Sequence, residues 1–162
     1  MAIEEVFFTH PAVALACVVG EPDAYAGELP VAYVQLKAGA SVTANELLAY
    51  IAERTPERAA VPVQLYFIDA VPLTAVGKVF KPALRWDAAR RAVTRMLADL
   101  AHGDRKIAVE AGAHATHGSL VTVTVDGAAE SERAALSRGI DERLDPLTLK
   151  HEIVWGSVSN PA

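Results

Sequence analysis

One cysteine, two tryptophans and ten aromatic residues in all are few for 162 residues, and each scarcity excludes something. The lone Cys17 has no partner for an intrachain disulfide and no second thiol for a zinc site. It lies inside the apolar run Ala12–Val19, so it is expected to be a small buried hydrophobe. That run of eight is the longest unbroken apolar stretch, and a membrane-spanning helix needs roughly 20. No charged start followed by an apolar stretch marks a secretory signal. A soluble, cytoplasmic protein is expected. Positive charge is not in excess either: 15 Lys and Arg stand against 20 Asp and Glu, for a net charge of −5. Residues 1–86 carry six basic and nine acidic groups, and residues 87–162 carry nine and eleven. Neither part has the surplus that drives phosphate-backbone binding, which argues against a nucleic-acid partner.

What is present is a globular composition, 52% apolar and 22% charged. With 31 alanines and 19 valines, the core must be built from small aliphatic side chains. Ile3, Val6 and Phe7 stand at helical spacing, and His10-Pro11 ends that element. It begins almost at residue 1, as if cut just upstream of a helix. Ala12–Val19 predicts a central strand, and Gly20-Glu21-Pro22-Asp23 a turn. Val31–Lys37 alternates with Ala32, Val34 and Leu36 on one face. Thr43 with Glu46 has the capping-box pattern and opens a helix bearing Leu47, Tyr50 and Ile51, which Pro56 closes. Val63–Ile68 is another alternating strand.

The stretch Val71–Lys78 has no periodicity and reads as a loop. Pro82 suits the first position of a new helix. Its stripe of Trp86, Ala89, Val93, Met96 and Leu100 runs to the stop at Gly103-Asp104. A second set of elements follows: a short strand at Ile107–Val109, then Val121, Val123 and Val125 alternating with Thr122 and Thr124. Asp126 is the expected cap of a helix carrying Leu136, Ile140 and Leu144, stopped by Asp145-Pro146, and Lys150–Trp155 is the last strand. The sequence shows no internal repeat and no low-complexity linker, so the long helix is the expected connector. A strand-strand-helix-strand module leaves a sheet edge unpaired, which points to docking on the first domain or to a homo-oligomer.

Three segments carry a resemblance: Ile3-Glu4-Glu5-Val6 with His10-Pro11-Ala12-Val13, then Gly20-Glu21-Pro22-Asp23 with Gly27-Glu28, then Pro72-Leu73-Thr74-Ala75-Val76-Gly77-Lys78-Val79. In order and spacing they resemble the carboxy-terminal domain of the adenylate-forming enzymes, the AMP-forming acyl-CoA synthetases in particular. The Gly77–Arg85 stretch is most similar to fatty-acyl-CoA ligases. The resemblance covers about residues 1–87 and names no domain for residues 88–162. It implies an α+β fold: a small sheet flanked by helices at 1–87, the synthetase lid, then a connecting helix and appended α/β module at 88–162.

It also implies chemistry. The family joins a fatty acid or other carboxylate to CoA in two steps, through an acyl-adenylate formed from MgATP. A lysine matching Lys78 enters the site in the first step, where carboxylate and phosphate repel one another and an ammonium offsets the repulsion. Gly77 matches the residue before it and permits a backbone conformation strained for others. The Gly20, Gly27 and Glu28 face is implied to approach CoA; a plain turn between strands is the other reading of that segment. Lys81 and Arg85 belong to a run in which Lys78, Lys81, Arg85, Arg90, Arg91 and Arg95 place six of 15 basic residues within 18 positions. Such a run suits polyanions like ATP and CoA, although Arg91 and Arg95 read equally as a solvated helix face. Position 76 is Val where the family has a small polar residue. The resemblance places the phosphate loop, the acyl pocket and the Mg²⁺ ligands in a larger amino-terminal domain, the partner this chain would close over. Alone, the chain is expected to be inactive. A stand-alone binding or regulatory module with the lid fold is the alternative, as is the lid of a carrier-protein-loading adenylation enzyme. His114 and His117 form the only close histidine pair, and Ala113, Ala115, Thr116 and Gly118 beside them offer no further ligand, so a polar turn rather than a metal site is expected.

Overall fold

The computed structural model describes residues 3–156. In chain order the elements are α1 (Ile3–Phe8), β1 (Val13–Asp23), β2 (Gly27–Leu36), α2 (Ala44–Arg54), β3 (Gln64–Phe67), α3 (Lys81–Met96), β4 (Lys106–His114), β5 (Gly118–Asp126), α4 (Glu130–Leu144) and β6 (His151–Trp155). They form two three-stranded sheets, ordered β1-β2-β3 and β4-β5-β6. The chain divides into two compact units: residues up to Glu21 with Glu28–Arg85, and Pro22–Gly27 with residues from Trp86 on. The division falls inside α3. Among the described residues, no helix is long and apolar enough to cross a membrane.

In the first unit the core joins Val6 and Phe7 of α1, Val13 and Ala16 of β1, Ala32 and Val34 of β2, Leu47 and Ile51 of α2, and Leu65 of β3. Each such large apolar side chain contributes roughly 1.5–3 kcal/mol when fully buried. The helix that supplies Leu47 and Ile51 starts as its sequence predicts. Thr43 Oγ1 accepts from the Glu46 N–H at 3.2 Å, and Glu46 Oε2 accepts from the Thr43 N–H at 2.9 Å. α2 carries the chain from β2 to a parallel β3, with Val31 opposite Gln64 and Val34 opposite Phe67.

Three expectations are corrected here. Ala12–Val19 lies in an edge strand, because β2 takes the centre; its run is apolar because residues of both parities, Ala16, Cys17 and Val19 among them, are buried. Gly20–Asp23 is the end of β1, not a turn. The turn is Ala24–Ala26. Asp23 Oδ1 makes it by accepting from the N–H groups of Tyr25 at 2.9 Å and Ala26 at 2.8 Å, and Gly27 closes it at φ +76°. A three-residue turn joins only antiparallel neighbours, so β2 starts at Gly27, before the expected Val31.

In the second unit the core joins Val93 and Leu97 of and after α3, Val121, Val123 and Val125 of β5, Ile140 and Leu144 of α4, and Leu147. Ala89, Met96 and Leu100 of the expected stripe pack against it, while Trp86 is half-buried with its Nε1–H donated to Ser119 Oγ at 2.9 Å. β4 is longer than Ile107–Val109. It pairs antiparallel with β5 over nine positions, from Lys106 opposite Asp126 to His114 opposite Gly118. β6 pairs parallel with β5, Thr122 lying opposite Glu152. The cap of α4 is Ala129, not Asp126. Ala129 has no side-chain acceptor, so the end is held by the Glu132 carboxylate on the Ala129 N–H, while Asp126 accepts from Gly127 N–H next door. Arg143 bridges α4 to Asp99 at 2.7 Å, and His151 bridges β6 to Asp141 at 2.9 Å.

Candidate functional site

The loop that bears Lys78 is a small hairpin of its own. Leu73 and Val79 form an antiparallel bridge, and the Phe80 N–H donates to Pro72 O at 2.8 Å. Inside that bridge, Thr74 N–H donates to Lys78 O at 2.7 Å and Gly77 N–H donates to Thr74 O at 2.9 Å. The loop proper is therefore Ala75-Val76-Gly77, with Gly77 in the left-handed region at φ +78°. A Cβ there would meet no atom within 4 Å, so glycine is wanted for its conformation, not for space. Lys78 N–H donates to Thr74 Oγ1 at 3.2 Å. Val76, which stands where the resemblance implies a polar residue, is 80% exposed, and the loop closes through Thr74 without help from it. The Lys78 side chain is exposed, and its ammonium has no hydrogen-bond or ion-pair partner among the described residues.

Gly20 and Glu28 face one another across the β1–β2 hairpin. A Cβ on residue 20 would collide with the Glu28 carboxyl, so the bare Gly20 backbone lets that side chain lie over it. Gly27 sits one residue before, as the left-handed end of the turn. Buried Glu21 next to Gly20 accepts from Tyr66 Oη–H at 2.9 Å, tying the end of β1 to β3.

Lys81 and Arg85, on the first turns of α3, differ in their freedom. Lys81 Nζ is 3.2 Å from Glu4 Oε1 on α1, whereas the exposed Arg85 guanidinium has no such partner among the described residues. Burial alone would raise the Glu4 carboxyl; its own backbone N–H and the Lys81 ammonium outweigh burial and hold it below the usual range. Burial pushes the Cys17 thiol up, against the pull of Lys81 and Arg85. At 1% exposure Cys17 is the small buried hydrophobe its sequence context predicts. Arg90 and Arg91 both engage Asp87, each at 2.6 Å. The six-residue basic run thus holds two free heads, Lys78 and Arg85. His114 and His117 stack at 4.9 Å, and His114 Nδ1 accepts from the Thr116 and His117 N–H groups, which is turn chemistry.

The sequence reading passed over two residues of this geometry. Thr74 was legible: a hydroxyl four positions before a lysine, across a glycine-closed loop, is where a side chain can cap a turn. Glu4 was not, because the 77 positions to Lys81 carry no local signal.

A hairpin, a helix, a parallel third strand and a clamped Gly-Lys loop are the parts of the lid domain of adenylate-forming enzymes. Residues 2–78 match the family described as AMP-binding enzyme C-terminal domain. A marinolic acid–CoA ligase of a Pseudoalteromonas species is 35% identical over 147 residues, 91% of this chain and 22% of that protein. That alignment is longer than the first unit and so extends into residues of the second. An acetyl-coenzyme A synthetase of Pyrobaculum arsenaticum is 41% identical over 86 residues, 51% of this chain and 13% of that protein. The crystal structure of a Brucella canis acyl-CoA synthetase matches 54% of this chain and 16% of its own, at 33% identity and a TM-score of 0.50. The chain spans only about a fifth or less of each relative's length.

Proposed function

We propose that this chain is the carboxy-terminal part of a cytoplasmic, ATP-dependent, AMP-forming acyl-CoA ligase acting on a fatty acid, with Lys78 as its adenylation lysine. The observation that carries the reading is the Lys78 ammonium, unpaired and exposed on a loop fixed by three hydrogen bonds. In the first step a carboxylate oxygen of the acid attacks the α-phosphorus of MgATP, the bond to the bridging oxygen breaks, and pyrophosphate departs with the electron pair. Lys78 Nζ lies between acid and α-phosphate and stabilises the charge that shifts along the line of transfer. In the second step the CoA sulfur, giving up its proton, attacks the acyl carbon, and AMP leaves.

The Gly20–Glu28 face serves the second step. Gly20 leaves room for the Glu28 side chain to lie over it, and that exposed carboxylate accepts from amide N–H groups such as those of pantetheine. Gly27 keeps that face in register. Arg85, with a free guanidinium, is the better phosphate contact; Lys81 is paired with Glu4 and gives a weaker one. The Mg²⁺ that accompanies ATP is assigned to the larger amino-terminal domain, over which this chain closes. The open edges at β4 and β6 support self-association of the second unit, which sedimentation at rising concentration tests.

Both half-reactions, measured on one preparation of the full-length protein carrying Lys78→Ala, decide the main reading. Acyl-adenylate formation should fall about 10²–10³-fold, and conversion of supplied acyl-adenylate plus CoA to thioester should hold near wild type. Equal losses in both would sink the assignment, and no loss in either would reduce Lys78 to an ordinary loop lysine. The chain by itself, given ATP and fatty acid, should release no pyrophosphate.

A further inference from the structure

Every hydrogen bond inside the Leu73–Val79 bridge ends on one residue, Thr74. Two of the three are backbone to backbone, Thr74 N–H to Lys78 O and Gly77 N–H to Thr74 O, and any residue at position 74 but proline supplies them. The third, Lys78 N–H to Thr74 Oγ1 at 3.2 Å, needs a hydroxyl. It is also the one that fixes the amide of the residue bearing the ammonium. The Thr74 carbonyl is already engaged by Gly77, and the left-handed turn at Gly77 leaves the Lys78 N–H facing the side chain instead. Ala75 and Val76 carry no polar side-chain atom, so the rest of the loop offers no substitute.

Lys78 is thus a free arm on a fixed root. Its four side-chain torsions can search, but the sphere they search is centred by the backbone, and a reacting group displaced by about 1 Å can lose 10²-fold in rate. We propose that Thr74 is a positioning residue for adenylation: its hydroxyl holds the Lys78 backbone so that the ammonium reaches the carboxylate and α-phosphate. The role rests on the proposed function of Lys78 and acts only through it.

Thr74→Val keeps the β-branched shape and removes the acceptor; Thr74→Ser keeps the acceptor. In the full-length ligase, Thr74→Val should lower kcat for acyl-adenylate formation by about 10- to 100-fold. KM for ATP and acid should stay within about twofold, and thioester formation from supplied acyl-adenylate should be unchanged. Thr74→Ser should recover activity to within about threefold of wild type. In a Lys78→Ala background, Thr74→Val should cost nothing further, because there is no arm left to position. A Thr74→Val loss that persists undiminished in that background overturns the proposal and makes Thr74 structural. So does a Thr74→Val enzyme at wild-type rate while Lys78→Ala is crippled. If Lys78→Ala is itself fully active, the function proposed for Lys78 fails and the positioning role with it. The clamp is tested apart from activity in the 162-residue chain: Thr74→Val should speed exchange of the Lys78 amide about tenfold or more, with β2 amides unchanged. Unchanged exchange at Lys78 overturns the clamp.

Discussion

The β1-β2-β3 and β4-β5-β6 sheets are wired alike. In each, a hairpin is followed by a helix and by a third strand parallel to the second, which takes the centre. The hairpin turns match atom for atom in their logic: Asp23 in one and His114 in the other accept two N–H groups from the turn, and Gly27 or Gly118 closes it in the left-handed region. What differs is cover. The central strand β2 has Val31, Ala32, Tyr33 and Val34 all fully buried, so both its faces are covered. In β5 only Val121, Val123 and Val125 are buried, and Thr122 and Thr124 between them are half-buried. Wiring is therefore set by turn chemistry and a helical crossover, and residue pattern by how many layers lie over the sheet. Two stretches with no sequence repeat carry the same topology for that reason.

The largest expected effect separates the covered strand from the half-open one. Tyr33 and Thr124 occupy matching places, each six residues after the glycine that closes its turn. Tyr33 is fully buried with its ring 5.3 Å from that of Tyr66, and Tyr33→Ala should destabilise the first unit by about 3–5 kcal/mol. Thr124→Ala should cost the second unit under about 1 kcal/mol. Native-state amide exchange in β2 and β5 reads the two units separately. Comparable losses at both positions would show that the second sheet is covered on both faces after all.

The same contrast explains what the sequence disclosed. Alternation in Val121–Val125 gave the half-open strand at once, and the Thr43–Glu46 box placed the start of α2 because both its hydrogen bonds are local. Burial on both faces erased alternation in β1, and the apolar run then imitated a central strand. Proline and glycine at 20–22 imitated a turn, although only Asp23 has a side chain that caps one there. At the candidate site, Gly77-Lys78 was legible through its motif. The Glu4–Lys81 pair was not, since it spans 77 positions, and neither was the division of the basic run into paired and free heads, which depends on where Glu4 and Asp87 come to lie.

A smaller effect tests whether the two turns are the same device. Gly27 and Gly118 have φ of +76° and +72°, and a Cβ on either meets nothing within 4 Å. Only conformational strain opposes a side chain, so Gly27→Ala and Gly118→Ala should each cost about 1–2 kcal/mol. Asparagine, which tolerates the left-handed region, should cost less at both. Urea unfolding of the four variants checks this, and a cost confined to one turn would break the equivalence.

The smallest effect is local and turns on acid. The N–H groups of Ala26 and Tyr25 on the Asp23 carboxylate hold its pKa below the usual range. A carboxylate depressed in the folded state contributes stability above its ordinary value, lost only as pH falls through the depressed one. The first turn should therefore survive mild acid. His114 does the same work with Nδ1, which accepts only while it carries no proton. As the pH falls, the amides of Tyr25 and Ala26 should therefore stay still until it drops below about 4. His114→Asp should keep the amides of Thr116 and His117 protected, because a carboxylate accepts the same two N–H groups, whereas His114→Ala should let them exchange faster. If the amides of Tyr25 and Ala26 open in mild acid, or if His114→Asp opens the second turn as far as His114→Ala does, the two capping side chains are not doing equivalent work.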